Sequence, residues 1–158
     1  KRKLSINNVI CVAPDVGGVE RARSLGRRIN VSIAIIDKRR PAPGKSEVMN
    51  IVGNIKNKNC IIVDDIIDTG GTIVNAAKAL KDKDAKDIYV YITHAVLSGQ
   101  AVEQIEKSQI KKLITTDTID NSKKIRGSKK IEIISMAPII SEAMKRIANS
   151  TSVSSLFK

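Results

Sequence analysis

Aromatic side chains are nearly missing from this sequence: Phe157, Tyr89 and Tyr91 are all there is, and there is no Trp. Proteins that hold single-stranded nucleic acid stack bases on aromatic platforms, so that class is disfavoured, and no segment is equipped to stack a free base. Cysteine is scarce too. Cys11 and Cys60 each sit inside an apolar run, Val9-Ile10-Cys11-Val12 and Cys60-Ile61-Ile62-Val63, where a reduced thiol acts as a small hydrophobe. There is no C-x-x-C pair and no cluster with metal-ligand spacing. Reduced cysteines fit a cytoplasmic setting. Hydrophobic runs are short, and none nears the roughly 18 residues that a bilayer span needs. No secretory signal pattern is present. Neither a membrane nor nucleic acid is therefore expected as a partner. The chain opens on Lys1 rather than Met, which reads as a processed product or a fragment.

What is present is an ordinary globular balance. Over 158 residues, 42% are hydrophobic and 28% charged, enough to close the core of one domain spanning 1–158. The formal net charge is +12. Such a surface can attract anions, nucleic acid or phosphorylated metabolites among them; a merely solvated basic surface is the first reading and phosphate chemistry the second.

Short apolar runs alternate with helical spacing. Val9 to Ala13 reads as a buried strand, followed by a helix face at Ala22, Leu25, Gly26 and Ile29. Val31 to Ile36 reads as a second strand and the Pro/Gly-bearing Arg39 to Glu47 as a loop. Val48 to Val52 is a short strand. Cys60 to Val63, apolar on both faces, predicts a central parallel strand, and Ile73, Ala76, Ala77 and Leu80 predict a helix. Asp87 to Thr93 is a strand, Gly99 to Lys107 a helix, and Leu113 to Thr115 and Ile131 to Ser135 further strands. Asn121 to Lys130 is a basic loop. An amphipathic helix carrying Ile140, Ala143, Met144 and Ile147 starts near Pro138. This alternation predicts an α/β fold with a mainly parallel sheet flanked by helices.

In open parallel sheets, ligands bind beyond the carboxyl ends of the strands. Three loops there carry unusual chemistry. In Val63-Asp64-Asp65-Ile66-Ile67-Asp68-Thr69-Gly70-Gly71-Thr72 an apolar strand runs into two acids, then a Gly- and Thr-rich turn, then a helix. Gly70 and Gly71 let backbone N–H groups converge, Thr69 and Thr72 add hydroxyls, and the helix N-terminus adds free donors; together these cradle a phosphate. Asp64 and Asp65 repel phosphate but accept hydrogen bonds from hydroxyls, so the ends of the segment suit a sugar phosphate. Asp68 stands out among phosphate donors, and a loop-shaping role through backbone N–H groups fits it. Asp15-Val16-Gly17-Gly18 allows close approach of a diphosphate, with Asp15 able to hold a cation, although a plain turn explains that motif as well. Lys38-Arg39-Arg40 places three mutually repelling cations at a strand end.

The long segment resembles the ribose-5-phosphate loop of the type I phosphoribosyltransferase fold, most closely that of the ribose-phosphate pyrophosphokinase family, also called phosphoribosyl pyrophosphate synthetases. Four further stretches carry the resemblance: Ala13 to Gly18, Asp37 to Pro41, Thr93-His94-Ala95, and Ser152 to Phe157. It spans nearly the whole chain. It implies the reaction of ATP with ribose 5-phosphate to give AMP and phosphoribosyl pyrophosphate. It also implies that Asp64, Asp65, Asp68, Thr69, Gly70, Gly71 and Thr72, with Arg40, hold the sugar phosphate. By the same resemblance Asp15, Val16, Gly17 and Gly18 hold the pyrophosphate part, with Asp15 a magnesium ligand. The resemblance further implies that Lys38 and Arg40 are catalytic, on a loop from Lys38 to about Glu47 that is mobile in the family. The family subunit is about twice this long, so the resemblance implies a C-terminal half whose missing N-terminal domain carries much of the ATP site, and a homo-oligomer, a hexamer in the family. His94 has no catalytic role there and is read as structural. A phosphoribosyltransferase and a non-catalytic regulatory or assembly module are the alternatives.

Overall fold

The computed structural model describes residues 8–39 and 48–157. A seven-stranded sheet has the order β3-β2-β1-β4-β5-β6-β7. The strands are β1 (Val9–Ala13), β2 (Ile33–Arg39), β3 (Val48–Val52), β4 (Asn59–Ile67), β5 (Ile88–Ala95), β6 (Lys112–Thr116) and β7 (Ile131–Ile134). The helices are α1 (Val19–Ile29), α2 (Gly71–Lys81), α3 (Ala101–Lys107) and α4 (Ala137–Ala148), and a 3-10 turn, Ser154–Phe157, follows α4. Every pairing is parallel except β2 with β3.

β1 is fully buried because its pleat serves two cores. Ile10 and Val12 join Ile62, Val90, Ile73 and Leu80 on the face covered by α2 and α3. Cys11 and Ala13 meet Ala22 of α1 on the other face. Full burial of a side chain such as Ile62 or Leu80 contributes about 1.5–3 kcal/mol. Gly26 lets α1 lie close to the chain as it turns into β2: a Cβ there would meet the Val31 carbonyl oxygen at 3.0 Å and Ile33 Cγ2 at 3.1 Å.

The chain runs outward from β1 through β2 to β3, then returns to β4 and continues in the opposite direction. β1 and β4 are therefore neighbours across the reversal in strand order, with register Cys11↔Ile61. Adjacent strands lie about 4.8 Å apart, so the loops after β1 and β4 open side by side. This is where open α/β sheets bind ligands.

The structure departs from the sequence reading in several places, β2, β4 and α4 among them. The second strand starts at Ile33 rather than Val31 and continues through Lys38 and Arg39, because antiparallel pairing with β3 (Lys38↔Met49, Arg39↔Val48) extends it. β4 runs four residues past Val63, because β5 keeps pairing with it as far as Ile67↔Ala95. α4 starts where Pro138 predicts, yet none of its residues is buried. The Pro/Gly-bearing stretch after Arg39 lies outside the described residues.

Candidate active site

The loop after β1 is shaped by its aspartate. The backbone N–H of Gly18 donates to Asp15 Oδ1 at 2.9 Å, closing a turn that delivers the chain into α1. A Cβ on Gly18 would stand 3.2 Å from Pro14 Cδ, and one on Gly17 would stand 3.3 Å from Asp15 Oδ1. Val16 is exposed at the tip. Asp15 thus holds the loop with one oxygen and keeps a second. Among the described residues no group of three or more His, Cys, Asp or Glu side chains could cage a metal. Magnesium needs no such cage: it keeps several waters and takes one or two carboxylates plus substrate phosphates. A single half-buried carboxylate beside a glycine turn fits that habit.

The loop after β4 starts from a strand whose alternation slips. Burial alternates along β5 up to Ile92, after which Thr93 and His94 are both exposed and Ala95 is buried. On β4, Asp65 and Ile66 are both exposed before Ile67 turns inward. The two neighbouring acids consequently reach one partner, although a regular pleat would point them to opposite faces. Arg21 of α1 places Nη1 2.6 Å from Asp64 Oδ1 and Nη2 2.7 Å from Asp65 Oδ2. Asp64 Oδ1 also accepts the Asp65 backbone N–H at 3.0 Å. Burial of Asp64 pushes its carboxyl above the usual range against the pull of Arg21. At Asp65 a desolvation contribution is outweighed by Arg21 and by hydrogen bonds, which hold it below that range.

Gly70 has φ +84, a left-handed conformation that glycine adopts without a Cβ penalty. No side chain caps α2, and its first turn contains no acid. The helix opens with the Val74 N–H donating to the Gly70 carbonyl at 2.9 Å. The free N–H groups of a first turn and the dipole end there favour an anion. Thr69 and Thr72 are exposed beside it.

Asp68 does not cap backbone N–H groups. Its Oδ1 accepts the Ser98 hydroxyl, while Ser98 N–H donates to the Asp68 carbonyl at 3.2 Å and Val96 N–H to the Ile67 carbonyl at 2.9 Å. The carboxylate is thereby turned toward the segment between β5 and α3, away from the role of a bare charge among phosphate donors. Arg21 and Ser98 are the two residues that sequence reasoning missed. A cation in the first turn of α1, at the positive end of the helix, was a signal for Arg21; Ser98 is brought in by tertiary structure and left no local sign.

Lys38 sits on β2, half-buried, with Met49 across the ladder. Arg40 lies outside the described residues. His94 Nδ1 is 2.9 Å from Thr118 Oγ1, which in turn donates to the Thr93 carbonyl at 3.1 Å. Arg21 and Asp64 line a cavity of about 290 Å³ together with Tyr91, Thr93, Ile114 and Thr116. The structure therefore brings together Asp15–Gly18, Arg21, Asp64, Asp65 and Asp68–Thr72 at the carboxyl ends of the central strands β1 and β4.

The family model described as the phosphoribosyl synthetase-associated domain matches residues 39–158. Ribose-phosphate pyrophosphokinase of Clostridium tetani is 57% identical over 150 residues, covering 95% of this chain and 47% of its own length. The enzyme of that name from Hyphomonas neptunium is 51% identical over 158 residues, covering 99% and 51%. The crystal structure of phosphoribosylpyrophosphate synthetase from Mycobacterium smegmatis superposes with a TM-score of 0.81 at 31% identity, over 90% of this chain and 46% of that one. Adenine phosphoribosyltransferase from Giardia lamblia, with a TM-score of 0.57 at 15% identity over 72% of this chain and 70% of its own, shares the fold. The chain spans about half the length of the curated relatives it matches.

Proposed function

The chain belongs to the phosphoribosyl synthetase-associated domain family, and from that premise we propose that it is the C-terminal half of a ribose-phosphate pyrophosphokinase. The reaction transfers the diphosphoryl group of ATP to ribose 5-phosphate. The observation that carries this reading is the β4–α2 segment: two carboxylates at a strand end, a left-handed glycine, then an uncapped helix N-terminus. Acceptors at one end and donors at the other match the hydroxyls and the phosphate of one sugar phosphate.

In this reading the amides and hydroxyls of Thr69, Gly70, Gly71 and Thr72 hold the 5-phosphate. Asp64 and Asp65 accept from the sugar hydroxyls. Asp68, fixed by Ser98, sets the path of the loop. Asp15 to Gly18 receive the diphosphate, with Asp15 the residue that would hold magnesium; the ion, when bound, offsets phosphate charge. The anomeric oxygen forms a bond to the β-phosphorus and gives up its proton to water, while the bond from the β-phosphorus to the α,β-bridging oxygen breaks and AMP leaves with that oxygen. Such a transfer asks for in-line placement and charge neutralisation. Lys38 and Arg40 supply cations for the charge that builds on the transferring group.

The working enzyme in this proposal is a two-domain subunit in a homo-oligomer, with much of the ATP site on the N-terminal domain. The apolar side of α4 supports that part. Ile140, Met144 and Ile147 are 51%, 65% and 67% exposed, a surface suited to packing against further protein. The 158-residue chain alone then turns over little.

The test is a paired assay on the protein as its gene encodes it. Release of AMP from ATP that requires ribose 5-phosphate is the expected result. Nucleotide formation from phosphoribosyl pyrophosphate and a free base, without AMP release, would show a phosphoribosyltransferase instead. Binding without either reaction would show a regulatory or assembly module.

A further inference from the structure

The function proposed above gives Arg21 no task, yet its position is costly without one. It is the third residue of α1, at the positive end of a helix dipole, where a cation is disfavoured. Its guanidinium instead bridges Asp64 and Asp65 of β4 at 2.6 and 2.7 Å. Two adjacent carboxylates repel each other, and an unpaired pair at a strand end would swing apart into water. A planar fork holds both in one fixed geometry, whereas an ammonium offers three donors with no preferred plane. Arg21 engages one oxygen of each carboxylate, so each keeps a second oxygen as a hydrogen-bond acceptor. Two fixed acceptor oxygens side by side match two neighbouring hydroxyls on a furanose.

We propose that Arg21 is a positioning residue that gives the sugar subsite its preference for a vicinal diol, by locking the side chains of Asp64 and Asp65. It acts from the helix that the Asp15–Gly18 turn starts: Arg21 Nη1 lies 3.7 Å from where a Gly18 Cβ would stand. The sugar acceptors and the diphosphate turn are therefore built on one rigid connection. The inference rests on the sugar-phosphate reading of the site and deepens it, since it names the residue that makes the site read hydroxyls rather than phosphate alone.

The test compares binding of ribose 5-phosphate and 2-deoxyribose 5-phosphate by calorimetry, on the protein as its gene encodes it. A site built to bond a hydroxyl rejects the analogue lacking it, so the wild type should prefer ribose 5-phosphate by roughly tenfold or more. Arg21→Ala should bring that preference to within about twofold while changing 2-deoxyribose 5-phosphate affinity little, because only the hydroxyl contacts depend on the fork. Arg21→Lys keeps the charge without the fork and should fall between. A merely structural Arg21 would weaken both sugars alike and leave the ratio at its wild-type value, and that result overturns the inference. If Arg21→Ala does not fold, the Arg21→Lys ratio decides: a wild-type preference overturns the proposal and a reduced one supports it. A wild type that binds neither sugar overturns the functional reading, and this inference with it. A wild type that prefers the diol, with variants that prefer it equally, overturns the inference alone.

Discussion

Burial pushes the Cys11 thiol up to about 11 and the Cys60 thiol up to about 12, with Lys58 and Lys81 only tempering the second. The nucleophile is the thiolate, so both cysteines should be inert to a thiol reagent at pH 8 in the native protein and react once guanidinium unfolds it. Thiol counting with and without denaturant checks this. The unfolded chain ionises these groups from about 9.0, and the folded one retains the protons. The contribution of these thiols to stability is therefore complete below that pH and is lost as pH climbs toward 11 to 12. A carboxylate works the opposite way at Glu106. Its Oε1 accepts the Ser128 hydroxyl and the backbone N–H groups of Lys129 and Lys130 at 3.1 and 3.0 Å, and these bonds, the Ser128 one foremost, hold its carboxyl below the usual 4.5. Its contribution is present above 4.5 and fades as pH falls through the lowered value. Glu106→Gln should cost about 1 kcal/mol at neutral pH by weakening charge-assisted bonds, and the difference from wild type should vanish in acid. Urea unfolding at both pH values reads it. Neither Glu106 nor Ser98 was legible as an anchor, because each finds its partner more than twenty residues away.

At the scale of elements, most of what the sequence announced is present, since local periodicity governs β1, α2 and the start of α4. The end of β4 was obscured by its own chemistry. Asp64 and Asp65 read as a loop because charged pairs are depleted from strands, yet β5 continues to pair with them to Ile67↔Ala95. The acids are thus held on a strand end, more rigid than a loop would make them. α4 shows a different limit: a 3.6-residue period tells that a helix has an apolar side and not what covers it. The turn into α2 was legible as a turn, because glycine and threonine between a strand and a helix have few other uses, but the Ser98 partner of Asp68 was not. Gly70→Ala tests it. Forcing a Cβ onto a left-handed residue should cost about 1–2 kcal/mol of stability, measured by denaturant unfolding, and should weaken sugar-phosphate binding as the amides lose their aim. Leu80→Ala, on the buried side of the same helix, should cost about 2–5 kcal/mol by opening a cavity and leave the site's specificity for its ligand unchanged.

The chain carries a net charge of +12 and sets the loops after β1 and β4 side by side, so on the proposed function a phosphorylated ligand is drawn in by the overall field as well as by local donors. Binding of ribose 5-phosphate should therefore weaken as salt is raised from about 0.05 to 0.5 M, because the Debye length shrinks to a few ångströms; calorimetry at the two salt levels reads this. In the complete enzyme, Lys38→Ala should lower turnover by roughly a hundredfold to a thousandfold, the loss seen when one transition-state charge partner is removed, with little change in sugar affinity. The order of strands, which puts β1 beside β4, makes these loops neighbours, and no local sequence signal carried that adjacency. The most direct measurement is an NMR titration of the isotope-labelled protein with ribose 5-phosphate. The account predicts that the backbone amide signals of Thr69, Gly70, Gly71 and Thr72 move together and saturate, with those of Asp64 and Asp65 following. Binding that leaves the amides of residues 69–72 unmoved and shifts signals elsewhere would contradict it.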